Sequence, residues 1–308
     1  MGLAEDIASW TWHRGRFQEV FGQRSEGHFV ERWPAGKKLA VLLSFDMQAD
    51  VDAAAAWSSH PNAFWDSGAI NFCDASMRIY DAREGLARVL RILDKYHAPA
   101  TFMFCGLTAE WYPELAKEVL SAQHEIGVHG HRHVKLCNLT DDEEVEELTA
   151  ATNAIRDVVG DRPLGWRSPL YSVTDRTLDI LRELGYAWHS DFHDQDFPYV
   201  LTKDGRPMIE IPPGNDDWPQ YLMYTGPGSP IMGGNPYGTA DGVFSTMKGE
   251  FDLLYEESRT APRILNWAMH PKISGRPYAA SVLDRFLAYV VAHEGVWIAT
   301  GNEIASLA

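Results

Sequence analysis

The run Leu39-Ala-Val-Leu-Leu-Ser-Phe45 is almost wholly apolar and far too short to cross a bilayer. A run of that length and composition is the mark of a strand covered on both faces, as in a parallel α/β sheet. The pattern repeats downstream. Residues 84–96 carry apolar side chains at helical spacing (Leu86, Val89, Leu90, Leu93), and 99–106 is the next apolar strand. The alternation continues with a helix over 113–123, a strand over 125–128 and a helix over 140–159. That helix opens on Thr140-Asp-Asp-Glu143, a capping-box pattern. Strands near 164–167, 186–190, 208–211, 263–269 and 296–300 are separated by helices over 174–184, 241–258 and 280–293, and a terminal helix begins near 302. About seven or eight such units predict a parallel sheet closed into a barrel rather than an open sheet.

Two segments stand outside the rhythm. Residues 1–36 are rich in aromatics without periodicity and read as an N-terminal arm, with one catalytic domain over 37–308. Residues 212–240, rich in Gly, Pro and Tyr, read as an inserted lid loop.

Composition excludes some functions. The 308 residues carry 27 Lys+Arg against 43 Asp+Glu, a formal net charge of −16. That argues against nucleic acid, which demands clustered cations, and against anionic membranes. The three cysteines, Cys73, Cys105 and Cys137, lie far apart and form no Cys-x-x-Cys motif, so they read as free thiols in a reducing compartment. No apolar run follows a basic start at the N-terminus. A cytoplasmic enzyme with a small-molecule substrate is the expectation.

In a parallel barrel, chemistry collects where strands end at their carboxyl side. Asp46, His129 with His133, Arg167, and His270 all fall at such ends. Each has an ordinary structural reading: a strand-end Asp as a turn residue, a lone Arg as an ion-pair partner, a histidine before proline as a loop residue. Their joint occurrence is what carries weight. Two histidines four residues apart converge if the chain coils into a helical turn, and neutral imidazole suits zinc, cobalt, nickel or iron. A carboxylate beside a metal-bound water can take its proton. A histidine opposite can protonate a departing nitrogen. The sum is metal-assisted hydrolysis of an amide-type C–N bond.

The pieces Leu43-Ser-Phe-Asp46, His124-Glu-Ile-Gly-Val-His-Gly-His-Arg-His133, Gly165-Trp-Arg-Ser-Pro169, Glu210-Ile-Pro212, Met269-His-Pro-Lys-Ile-Ser-Gly-Arg-Pro277 and Gly301-Asn-Glu-Ile304 resemble the polysaccharide deacetylase (NodB-homology) superfamily over roughly residues 30–305. More narrowly they resemble its cytoplasmic branch of peptidoglycan-deacetylase-like, allantoinase-like and cyclic imide hydrolase proteins. The resemblance implies an irregular (β/α) barrel of about seven strands. It also implies Asp46 as catalytic base, His129 and His133 as metal ligands, Arg167 orienting the base and His270 as general acid. It implies a divalent metal, zinc first among the candidates, and a homo-oligomer, tetramer or dimer.

One position departs from the family pattern. Where a second acidic residue should complete the metal site, the chain reads Asp46-Met-Gln48-Ala-Asp50, so Gln48 through its oxygen or Asp50 through a bulged turn is the expected third ligand. Pro169, Tyr171, Asp196 and the lid residue Trp218 are expected to line the substrate pocket, and Asp191, Asp194 or Asp196 to polarise His270 or line the pocket. The substrate expected from the branch is a small cyclic amide, imide or ureide. An N-acetylated amino-sugar glycan is the alternative, and a non-catalytic binding protein with a degraded metal site is a third reading.

Overall fold

The computed structural model describes residues 15–26, 30–51, 76–215, 217 and 239–308. Ten strands in these residues join one sheet: β1 (Gln23–Arg24), β2 (Leu39–Met47), β3 (Thr101–Phe104), β4 (Glu125–Val128), β5 (Gly165–Trp166), β6 (Trp188–His189), β7 (Tyr199–Lys203), β8 (Arg206–Glu210), β9 (Arg263–Met269) and β10 (Val296–Ile298). Their order is β1-β7-β8-β6-β5-β4-β3-β2-β10, with β9 also paired to β2. β2 to β6, β8, β9 and β10 run parallel, so their carboxyl ends share one rim. All nine residues of β2 are buried, as its unbroken apolar run requires.

The helices connect these strands as the periodicity predicts. Leu86–Lys95 buries Leu86, Val89, Leu90 and Leu93, and Asp141–Val159 begins with the Thr140–Glu143 capping box formed in both directions. No helix of the described residues is long and apolar enough to cross a membrane.

The antiparallel strands β1 and β7 are additions to the parallel pattern that the periodicity does not show. β7 and β8 form a hairpin through Asp204-Gly205, both at positive φ, 51° and 73°. The Asp-Gly pair is the usual signal for such a two-residue turn. The N-terminal arm reaches this edge. Helix Arg16–Phe21 packs Phe17 and Phe21 on Phe192 at centroid distances of 5.4 and 5.1 Å, and β1 pairs with β7.

The gap between β8 and β9 is closed by the start of the 212–240 interval. The Gly214 amide donates to the Asn266 carbonyl (2.8 Å), the Ala268 amide to that of Asn215 (3.1 Å) and the Asp217 amide to that of Ala268 (3.3 Å). Gly214, Asn215 and Asp217 are thus barrel wall rather than lid. Most of the expected lid, including Trp218, lies outside the described residues.

Candidate active site

The rim of the parallel strands brings together residues far apart in sequence. Asp46 is the penultimate residue of β2, while His129, Arg167 and His270 directly follow β4, β5 and β9. Arg167 is fully buried inside the barrel. One terminal nitrogen donates to Asp46 Oδ1 at 2.9 Å, and the other reaches Ser44 Oγ (2.9 Å) and Ser190 Oγ (3.1 Å). A planar guanidinium can serve three acceptors at once in a fixed geometry that an ammonium does not offer. It therefore fixes Oδ1 and leaves Oδ2 facing two rings: His129 Nε2 at 3.7 Å and His270 Nε2 at 4.0 Å. Both separations exceed hydrogen-bond length, so Asp46 and His270 face a shared space without being paired.

His270 is oriented by a residue the motifs do not single out. Asp217 accepts from the His270 backbone amide (2.7 Å) and lies 2.8 Å from Nδ1, while the oxygen that holds the amide also accepts from Ser274 Oγ (2.7 Å). Asp217 is completely buried. The three aspartates expected to polarise His270 are engaged elsewhere. Asp191 holds the Ser168 amide (2.8 Å) and His189, and Asp194 binds Tyr199 and Arg24. Asp196 is exposed, with its carbonyl on Ile264, at the opposite end of β9 from His270. The expectation that Asp196 lines the pocket is corrected on that ground. The sequence around Asp217 reads as loop, and its contribution depends on Gly214, Asn215 and Asp217 running along β9.

Burial would push the Asp46 carboxyl up, but the charges of His129, Arg167 and His270 and the Arg167 hydrogen bond bring it down to about 2. His129 moves the other way, lowered to about 4 by burial despite the attraction of Asp46. It is neutral at pH 7, so Arg167 does most to keep Asp46 ionised there. Burial disfavours the charged form of His270, yet the Asp217 carboxylate outweighs it and raises the affinity of the ring for its proton. An ionised carboxylate and an imidazole whose affinity for its proton is raised therefore face each other across the site.

His129 and His133 converge, with ring centroids 5.1 Å apart, but without the helical turn expected from their spacing. Positive φ at Gly130 (69°) and His133 (55°) folds the loop instead. A side chain at Gly130 would meet Pro169 Cγ at 2.7 Å, so Pro169 packs over the loop that carries His129.

The third-ligand expectation fails at both residues. Asp50 accepts from the Tyr112 hydroxyl at 2.9 Å. Gln48 turns its oxygen to Lys272 Nζ and its nitrogen to His129 Nε2, 3.2 Å away. Among the described residues no three His, Cys, Asp or Glu side chains are grouped to hold a metal. The residues present do not fit a divalent cation: an amide N–H and a lysine ammonium stand where a carboxylate should be. Tyr171 follows Pro169 by two residues, meets His193 edge-on at 4.4 Å and lines a cavity with Phe17, Phe21 and Phe192.

Comparison with known proteins agrees with the fold. The polysaccharide deacetylase family model matches residues 66–189. The chain is 27% identical to the peptidoglycan deacetylase of Helicobacter pylori over 287 residues, covering 86% of this chain and 95% of that one. A solved structure from Mycobacterium smegmatis, assigned to the polysaccharide deacetylases, is 30% identical with a TM-score of 0.77, covering 92% of this chain and 94% of its own. Puue allantoinase is 25% identical with a TM-score of 0.78, covering 93% and 94%. Deacetylases of this family generally depend on a divalent metal. With a relative at 30% identity matched over nearly its whole length, this chain belongs to the polysaccharide deacetylase (NodB-homology) superfamily of hydrolases acting on C–N bonds other than peptide bonds.

Proposed function

We propose that the chain removes the acetyl group from an N-acetylated amino sugar, with Asp46 as general base and His270 as general acid. The observation carrying this reading is geometric: Asp46, held by Arg167, and His270, held by Asp217, face one space with Oδ2 and Nε2 4.0 Å apart, and Asp217 raises the affinity of the ring for its proton. Asp46 Oδ2 takes the proton of the attacking water. Arg167, bound to Oδ1, keeps that carboxylate pointed and ionised. Collapse of the tetrahedral intermediate expels the nitrogen, which leaves as a neutral amine only if it is protonated. His270 Nε2 supplies that proton, and Asp217 on Nδ1 stabilises the imidazolium before transfer. The glycan substrate is supported by the family model and by the peptidoglycan deacetylase relative. Acetate release from N-acetylglucosamine oligomers and peptidoglycan fragments tests it, with Asp46→Asn and His270→Ala as controls.

A second reading is hydrolysis of a small cyclic ureide or imide by the same two groups. It is favoured by the match to Puue allantoinase over nearly the whole of both chains. Ring opening of allantoin, hydantoin, succinimide or dihydrouracil with no acetate release from glycans would select it. No turnover on either panel would select the non-catalytic binding protein.

A further inference from the structure

Behind His129 stands a buried lysine that neither proton-transfer role uses. Gln48 and Lys272 are each 3% exposed. His129 Nδ1 lies 2.9 Å from the Arg167 carbonyl oxygen, which can only accept, so Nδ1 carries the proton of the neutral ring and Nε2 its lone pair. The Gln48 amide nitrogen, 3.2 Å away, donates to that lone pair. The amide oxygen accepts from Lys272 Nζ. Only this orientation satisfies both ends: flipping the amide would set its N–H groups against an ammonium and its oxygen against an imidazole lone pair.

Asp81 locks the frame. One of its oxygens accepts from the Ala49 amide at 2.9 Å and lies 3.4 Å from that of Gln48, while the other accepts from the Lys272 backbone amide. Burial favours a neutral Asp81, and the nearby Lys272 charge opposes that. The backbone on both sides of the lysine–glutamine contact is thus tied to one buried carboxyl group. The lone pairs that a cation would need on His129 Nε2 and Gln48 Oε1 are both committed, and a positive charge sits beside them in a desolvated setting where repulsion of a second cation is strong.

We propose that Lys272 takes the place of the divalent cation in this protein: its ammonium, relayed through the Gln48 amide to His129, supplies the positive charge of this half of the site and excludes metal from His129 and His133. The same site underlies the proposed hydrolysis, but the test reads metal retention, so an error in the substrate leaves it standing.

The full chain, stripped with chelator, is incubated with cobalt(II) and desalted, and retained metal and d–d absorption are measured. Wild type is expected to retain no cobalt. Gln48→Asp/Lys272→Met, which restores a carboxylate and removes the ammonium, is expected to retain one cobalt per chain with d–d bands that vanish when His129→Ala is added. Wild type holding one cobalt with His129-dependent bands overturns the proposal. So does a double variant with wild-type circular dichroism that retains none. Should the methionine variant not fold, Gln48→Asp/Lys272→Gln takes the same reading, and the wild-type arm is decisive without any variant.

Discussion

Asp217 and His270 are joined twice, backbone amide to carboxylate at 2.7 Å and Nδ1 to carboxylate at 2.8 Å. The contact sets both where the imidazole points and how tightly it holds its proton. An acid catalyst must be protonated, so activity is present below the raised His270 pKa and is lost as pH rises through it. Asp217→Asn removes the charge that raises this pKa, and the alkaline limb of the kcat/KM profile is expected to move to lower pH. An unmoved limb with a lower plateau would mean that Asp217 only positions the ring.

Replacing Asp46 by Asn keeps the shape and an acceptor for Arg167 but removes the base. Turnover is expected to fall by about 10²–10⁴-fold, the usual contribution of positioned proton transfer. Arg167→Met strands the buried Asp46 carboxylate as Asp46→Asn strands the buried Arg167 cation, so each variant is expected to lose about 3–5 kcal/mol in stability as well as rate. Urea denaturation measures the loss; wild-type stability in both variants would contradict the ion-pair argument.

Trp188 lies between two glycines. A side chain at either Gly165 or Gly301 would fall inside its indole ring, and its Nε1 donates to Asn302 at 2.8 Å. Gly301→Ala is expected to displace the ring and cost about 1–3 kcal/mol, as overpacking a dense core does. The midpoint of chemical unfolding measures it, and an unchanged midpoint would show that the ring can shift freely.

A buried cluster of His189, Asp191 and Glu210 gives the protein an alkaline weakness. Burial works against the charged His189 ring, but Glu210 and Asp191 hold it at about 9, and burial raises Glu210 to about 7. Both folded values exceed the unfolded ones. The stability that Glu210 contributes is complete below about 4.5 and lost as pH rises through about 7; that of His189 is complete below about 6.5 and lost through about 9. The melting temperature is expected to decline from about pH 6 to about pH 9, and His189→Gln with Glu210→Gln to flatten the decline. A flat wild-type profile would refute the cluster's titration.

Much of the parallel barrel is legible in the sequence because its signals are local. The buried strand Leu39–Met47, the amphipathic helix Leu86–Lys95 and the Thr140 cap each rest on a few neighbouring residues. Strand-end residues can be gathered because a parallel barrel puts all such ends on one rim. The features that escape depend on tertiary placement. Asp217 reaches His270 only because its segment lies along β9, and the Gln48 amide is turned by a lysine 224 positions away. The hairpin β7–β8 is within reach, since Asp204-Gly205 announces it, but Tyr199–Lys203 alternates too weakly to mark a strand by itself.

Along one edge, β2 changes partner midway. Residues Leu39 to Val41 pair with β10, while Ser44 to Met47 pair with β3. On that side the first half of the central strand finds its neighbour only when the segment around 296 has docked, and contacts of such long range slow folding. Asp46 sits on that same strand. A nascent chain still lacking residues 296–298 already holds every proton-transfer group, with the stretch of β2 under the base joined to β3 and the opposite end of the strand joined to β9 alone.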